Sequence, residues 1–318
     1  MIGTPFVVDQ TPFICWDWEL KEKNLDFLRG IDATYFQYVV ESNIDHLDGE
    51  HKHRAALSIR LAYSQALETL FALLGSLVQA PTCPLGWMLA YRTELPSVVS
   101  KIAQNKTILN RGRLQQVSWE SLSAAVYSHV PHDELKKEWI QSGFANCWSQ
   151  FATDFLDPHL LAEYNSMKHG LRVSLGGFSL AVGIEEMPGI PAPADAMQSV
   201  CSSIFGASFF ERERIGTAAA FNFRPRRKSS NWSPENILNA VVIAAMSINN
   251  VISYLRILNG DEPHKCEFKN PPTPQDFRVP WAERVPVPQM SMDTLITQDD
   301  IPLKTKDDVL ASYPKRDE

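Results

Sequence analysis

One short segment gathers most of the chain's pointed chemistry: Tyr164-Asn165-Ser166-Met167-Lys168-His169-Gly170-Leu171-Arg172. An imidazole, an amide, an ammonium and a guanidinium within so few residues suit an anion or a phosphodiester, and the imidazole can also move a proton near neutral pH. Upstream, Asp157-Pro158 reads as an N-cap followed by proline at the first helical position, and Gly170 reads as the residue that ends the helix. On such a helix Leu161, Asn165, Lys168 and His169 fall on one side, with Arg172 just past the end. The helix dipole favours the charged form of His169 there. The competing account is a polar cap in which Lys168, His169 and Arg172 satisfy the last carbonyls.

Other groups invite the same question. Arg60, Ser64 and Glu68 are spaced by four on an earlier helix, and Glu68 sits inside the apolar run Ala66–Phe71. A charge in that place needs a partner, either Arg60 or the cations Lys168, His169 and Arg172, unless it lies at a solvated edge. Arg224-Pro225-Arg226-Arg227-Lys228 is the densest basic run and reads as a loop before Ser233, able to hold RNA or phosphate or simply to face water. Arg212 and Arg214 alternate with Glu211 and Glu213, the pattern of an exposed, salt-bridged strand. His46, Asp48, Glu50, His51 and His53 cluster, but His51 and His53 point apart on a helix, so an acidic helix start is expected and no metal. The sequence has no Gly-x-Gly-x-x-Gly, P-loop, Gly-x-Ser-x-Gly or His-Glu-x-x-His, and no cofactor is expected.

The elements that must position these residues are mainly α: a helical bundle with an inserted β-hairpin or small antiparallel sheet and an extended Pro-rich C-terminal tail. Residues 1–15, with Pro5 and Pro12, read as an extended arm. The bundle takes residues 16–260. Helical periodicity runs from Trp16 to Asn43 and again from Glu50 to Gln79, where Pro81 and Pro84 stop it. Shorter helices fit Ser97–Gln104 and Ser118–His129. Phe144, Trp148, Phe151 and Phe155 then mark the buried face of another helix.

After Gly170 the period changes to two, and the β insertion spans about 171–228. Gly176-Gly177 reads as a hairpin turn pairing Leu175 with Phe178, with further strands near Ala207–Arg214 and Thr217–Phe223. Ser233-Pro234 opens a long apolar helix that Gly260 closes, and its buried amides Asn249 and Asn250 need partners, for which the polar end of the 157–170 helix is one candidate. Residues 261–318 are rich in proline and read as a docked arm anchored by Phe277, Trp281, Met290 and Met292.

Bulk composition bounds the function. Hydrophobic residues make up 44% of the chain and charged residues 21%, an ordinary globular balance. The net charge of -7 means that any nucleic-acid binding must come from a local basic patch. The apolar stretch Ile237–Leu258 is interrupted by Asn239, Ser247, Asn249, Asn250, Ser253 and Arg256, so no membrane span is expected. Five scattered cysteines form no Cys-x-x-Cys pair, and the N-terminus lacks the basic and apolar regions of a signal peptide; both fit a cytoplasmic protein.

Asn165-x-x-x-His169, near the end of a helix in a helical bundle, resembles the motif of the HEPN superfamily. Its members often carry Arg-Asn-x-x-x-His, and in the ribonuclease branch the arginine and histidine act at a dimer interface in metal-free RNA cleavage. Tyr164 stands here at the arginine position, which leaves Lys168 or Arg172 to supply that cation. The resemblance, closest to uncharacterised and abortive-infection branches, implies a homodimer that binds RNA or a nucleotide, in prokaryotic defence. On that reading Asn165, Lys168, His169, Arg172 and Glu68 are the candidate catalytic residues, with Tyr164, Arg60, Arg224, Arg226, Arg227 and Lys228 as candidate ligand contacts. Two alternatives stand beside it: a metal-independent endoribonuclease, and a non-enzymatic scaffold or antitoxin-like subunit that holds a protein partner with its aromatic arm and tail.

Overall fold

A computed structural model of the chain describes residues 3–111, 116–130, 134–185, 187–215, 222–282, 285, 287–292 and 301–313. The fold is mainly α with small antiparallel sheets. It divides into two compact units, Met1–Leu161 with Ser233–Arg284, and Ala162–Trp232 with Val285–Glu318.

In the first unit the expected N-terminal arm is a hairpin, in which β1 (Gly3–Val8) pairs antiparallel with β2 (Thr11–Trp16). A two-stranded ladder has two open edges, where the missing N–H of Pro5 or Pro12 is tolerated. The turn residue Asp9 has a φ of 54°. Its N–H donates to Gln79 Oε1 at 2.8 Å, and Gln79 Nε2 donates back to its carbonyl at 2.9 Å.

The periodic run Trp16–Asn43 is two helices, α1 (Leu20–Gly30) and α2 (Tyr35–Ile44). Asp32 Oδ1 accepts from the Thr34 amide at 2.9 Å and the Thr34 hydroxyl at 2.7 Å, a local turn that competes with continued helix. Next come α3 (Lys52–Gln79), α4 (Pro84–Ala90), α5 (Leu95–Ala103), α6 (Trp119–Val126) and α7 (Glu134–Leu156). Pro84, expected only to stop α3, opens α4 instead, because proline is at home in a first turn.

The core of this unit lies where α3 packs against α2 and against α9 (Pro234–Leu258). Ile59, Leu70, Leu73 and Leu74 of α3 are fully buried, as are Phe144, Trp148 and Phe151 of α7. α3 and α9 are long and apolar enough to cross a membrane, yet 72% and 61% of their most apolar windows are buried within the fold. Ser233 caps α9 as expected, its Oγ accepting from the Asn236 amide at 3.3 Å, and Gly260 follows the end with a φ of 102°. The buried amide of Asn250 donates to the Tyr127 hydroxyl and to the Lys269 carbonyl, both at 2.6 Å, and accepts from the Lys269 amide at 2.7 Å. With the neighbouring Asn249, which donates to its Oδ1 at 3.2 Å, its partners lie in the segment after α9 and on Tyr127, not at the 157–170 helix.

Part of that segment is not extended. Its 3₁₀ stretch Pro274–Trp281 sets Phe277 against Phe144, with ring centroids 4.9 Å apart, and Trp281 against Phe151 at 5.4 Å. Gly143 makes this possible, since a methyl there would overlap the Phe277 ring.

α8 (Pro158–Lys168) carries the chain into the second unit. Its strands are β3 (Val173–Leu175), β4 (Ser179–Val182), β5 (Gln198–Ser202), β6 (Gly206–Arg214), β7 (Phe223–Asn231) and β8 (Gln289–Met292), with a short α10 (Lys306–Ala311) near the end. The main sheet has the order β3-β6-β7-β8, every neighbour antiparallel, and β4 pairs separately with β5.

The expected hairpin at Gly176-Gly177 does not form. The Phe178 amide is taken by Asn231 Oδ1 at 2.8 Å, and Asn231 Nδ2 donates to the Phe178 carbonyl at 3.0 Å. Leu175 pairs instead with Ala207. Gly176 takes a φ of 117°, and Gly177 lets the chain pass close under the β5–β6 turn, where a Cβ would collide with the Ser203 carbonyl. The strand expected at Thr217–Phe223 falls mostly outside the described residues, and the neighbouring strand begins at Phe223.

Candidate functional site

α8 begins as its sequence promises. Asp157 Oδ1 accepts from the amides of His159 at 2.7 Å and Leu160 at 3.1 Å, which fixes the first turn. At the other end, Glu163, Tyr164, Ser166 and Met167 are buried, Asn165 is half-buried, and Lys168, His169 and Arg172 are exposed. The Glu163 carboxylate accepts from the Trp232 indole at 2.8 Å, tying the inner face of the helix to the chain where it leaves the sheet. Sequence reasoning passed over Glu163, although a lone acid between apolar neighbours near the end of a helix is the available signal for such an anchor.

The helix stops through its backbone. The His169 amide donates to the Asn165 carbonyl at 3.0 Å, and the Arg172 amide reaches back to the Ser166 carbonyl at 2.7 Å. Gly170 at φ 91° and Leu171 at φ 50° make the reversal. Two of the last carbonyls, those of Asn165 and Ser166, are thus held by the backbone itself. The Lys168 ammonium stands over the Tyr164 ring, 5.1 Å from its centroid. Tyr164 thus serves as a buried brace beneath that cation.

Arg172 leads directly into β3, where Val173 pairs with Phe209. The basic helix end consequently enters the sheet one step from Phe210.

The basic run Arg224–Lys228, expected in a loop, is strand β7. Arg224 Nε donates to Glu213 at 2.5 Å, Arg226 approaches the same carboxylate at 3.6 Å, and Lys228 meets Glu211 at 2.5 Å. The Arg224 hydrogen bond, with further help from the charges of Arg224, Arg226 and Lys228, holds the Glu213 carboxyl below its usual range. These cations are tied across the ladder to acids. Arg227, at the alternate position, lies exposed on the other face.

No family model, curated protein or solved structure matches this chain.

The remaining candidates belong to the first unit. Arg60 is buried on α3, 5.7 Å from the Tyr63 ring. Tyr63 donates to Asp154 of α7 at 2.5 Å. Burial raises the Asp154 pKa, opposed by the Tyr63 hydrogen bond and the Arg60 charge. Sequence reasoning missed Asp154, because only the packing of α7 against α3 brings it to this cluster. Glu68 is half-buried, and its charge acts on Tyr91, whose phenol is raised by burial first and Glu68 second. The segment from His46 to His53 contributes no metal-ligating group, and among the described residues none is found elsewhere.

Proposed function

We propose that the second unit binds RNA, or the phosphate of a nucleotide, at the C-terminal end of α8 through Lys168, His169 and Arg172, with Asn165 beside them. The observation that supports this reading is the backbone closure of the helix. Amides of His169 and Arg172 hold the Asn165 and Ser166 carbonyls there, and Lys168, His169 and Arg172 are all exposed around that closure. In a chain of net charge -7, such a patch is what would draw a phosphate to one place. The Asn165-x-x-x-His169 spacing, similar to the HEPN motif, agrees with the same ligand. That kinship would also make the first unit a helical bundle and the working form a homodimer. The free state of all five cysteines fits a reducing cytoplasm.

The test is binding of a short labelled RNA, followed by anisotropy in EDTA. Replacing Lys168, His169 and Arg172 together by Ala should weaken binding at least tenfold. It should also flatten the dependence of log affinity on log salt by about 0.7 for each phosphate the variant no longer neutralises. Unchanged affinity and slope would sink the proposal. Incubating the same RNA with the wild type and with His169→Ala asks separately whether the imidazole cleaves what the site holds.

A further inference from the structure

We infer that the outward face of the β6–β7 ladder is a stacking platform for unpaired bases, so that the ligand of the second unit is a single-stranded nucleic acid. This rests on the reading of the α8 terminus as a phosphate site, and it names the substrate that the site serves.

The argument begins with register. Phe210 pairs with Arg227, Arg212 with Pro225 and Arg214 with Phe223, while Glu211 pairs with Arg226 and Glu213 with Arg224. Directly paired residues share a face, and successive residues alternate faces. The ladder therefore sorts its charges. One face carries both glutamates with Arg224, Arg226 and Lys228, joined by the ion pairs already described. The opposite face carries Phe210, Phe223, Arg212, Arg214 and Arg227, with no acid at any paired position from Phe210 to Arg214.

Both phenylalanines are open to solvent, Phe210 at 64% and Phe223 at 53% exposure. A single exposed apolar side chain is ordinary. Two exposed rings set among three guanidiniums on one flat face are a different matter. The Arg212 guanidinium lies 4.8 Å from the centre of the Phe223 ring, so this part of the face already has a planar cation against an aromatic. Phe210 and Phe223 stand four residues apart along the paired strands, about 13 Å, far enough for each ring to carry its own base. Aromatic rings take any base by its π-face, and arginines both stack on bases and hold the phosphates between them. A duplex hides its base faces and could use only the charges.

The platform also has an entrance. β3 is the sheet's edge strand beside β6, and Arg172 precedes the Val173–Phe209 pair. A strand whose phosphate rests at the end of α8 would meet Phe210 next.

The experiment measures the affinity of the intact chain for labelled oligouridine and for a duplex of the same length. It compares wild type, Phe210→Ala with Phe223→Ala, and the triple alanine variant at Lys168, His169 and Arg172. The platform predicts tighter binding of the single strand than of the duplex, and a loss of about tenfold or more in the double Phe variant with duplex binding unchanged. Circular dichroism checks that the variants fold. Phe210→Tyr with Phe223→Tyr should retain wild-type binding, since the ring is what matters.

Loss of binding in the helix-end variant alone would overturn the platform and leave the phosphate site standing. Loss in the Phe variant alone would support the platform and overturn the phosphate site. Equal affinity of wild type for single strand and duplex would overturn the platform. So would a concentration-dependent dimer abolished by the Phe variant with no change in oligouridine binding, which would assign this face to a second copy.

Discussion

Tyr63 and Asp154 meet at 2.5 Å with Arg60 beside them, and this cluster couples proton binding to folding stability. Tyr63→Phe removes one partner of a buried charged hydrogen bond and is expected to cost about 1–3 kcal/mol in denaturant titrations. The sign of the Asp154 effect follows from burial. Its native pKa lies above the ordinary 3.8, so its contribution is full below that value, where both states are protonated. As pH rises through the raised native pKa, the folded chain holds a proton that the unfolded chain has given up, and stability falls. Asp154→Asn should flatten this slope relative to wild type. An unchanged difference across that range would show that Asp154 titrates normally.

At the scale of elements, Gly143 sets how closely α7 and the Pro274–Trp281 stretch can approach. Gly143→Ala improves helix propensity by close to 1 kcal/mol, yet it drives a methyl into the Phe277 ring. The overlap should dominate, with a net loss of about 1–2 kcal/mol and a lower Tm; a rise in Tm would mean that Phe277 moves aside freely. Helix ends were legible in the sequence because their causes are local. Ser233 caps α9, Asp157 caps α8, and Gly170 and Gly260 take the positive φ that ends each helix.

Strand pairing was not legible, because its causes are distant. The alternation around Gly176-Gly177 suits a hairpin locally, but Ala207 and the Asn231 side chain compete for the same backbone. Pro225 and four basic residues made β7 read as a loop, and only the facing glutamates of β6 make it a favourable strand. The platform face was invisible for the same reason: alternation has no meaning until the partner strand is known. The α8 segment stood out from its residue types alone. What the sequence left open was how the helix closes, and backbone amides hold the Asn165 and Ser166 carbonyls there.

The whole molecule carries several tyrosines whose phenols burial pushes upward. Tyr63 and Tyr127 lie well above the ordinary 10, Tyr63 raised by burial and then Asp154, Tyr127 by burial against the opposing Asn250 hydrogen bond. Unfolded tyrosines ionise near 10 while these two stay protonated in the folded chain, so stability should drop as pH climbs beyond that point. Replacing either by Phe should lessen the alkaline slope while costing stability at neutral pH. A slope unchanged by both substitutions would place the alkaline loss elsewhere.

The division of the chain also has a consequence in time. β8 pairs with β7, but it is reached only after α9 and the Pro274–Trp281 stretch have been made, and α3 likewise waits for α9. During synthesis at roughly 5–20 residues per second, the ribosome presents β7 with an open edge and α3 with an uncovered apolar face for several seconds. A stop codon placed just before Gln289 should leave the β8-facing edge of β7 open and yield aggregated product, even though the α8 terminus would already have been translated.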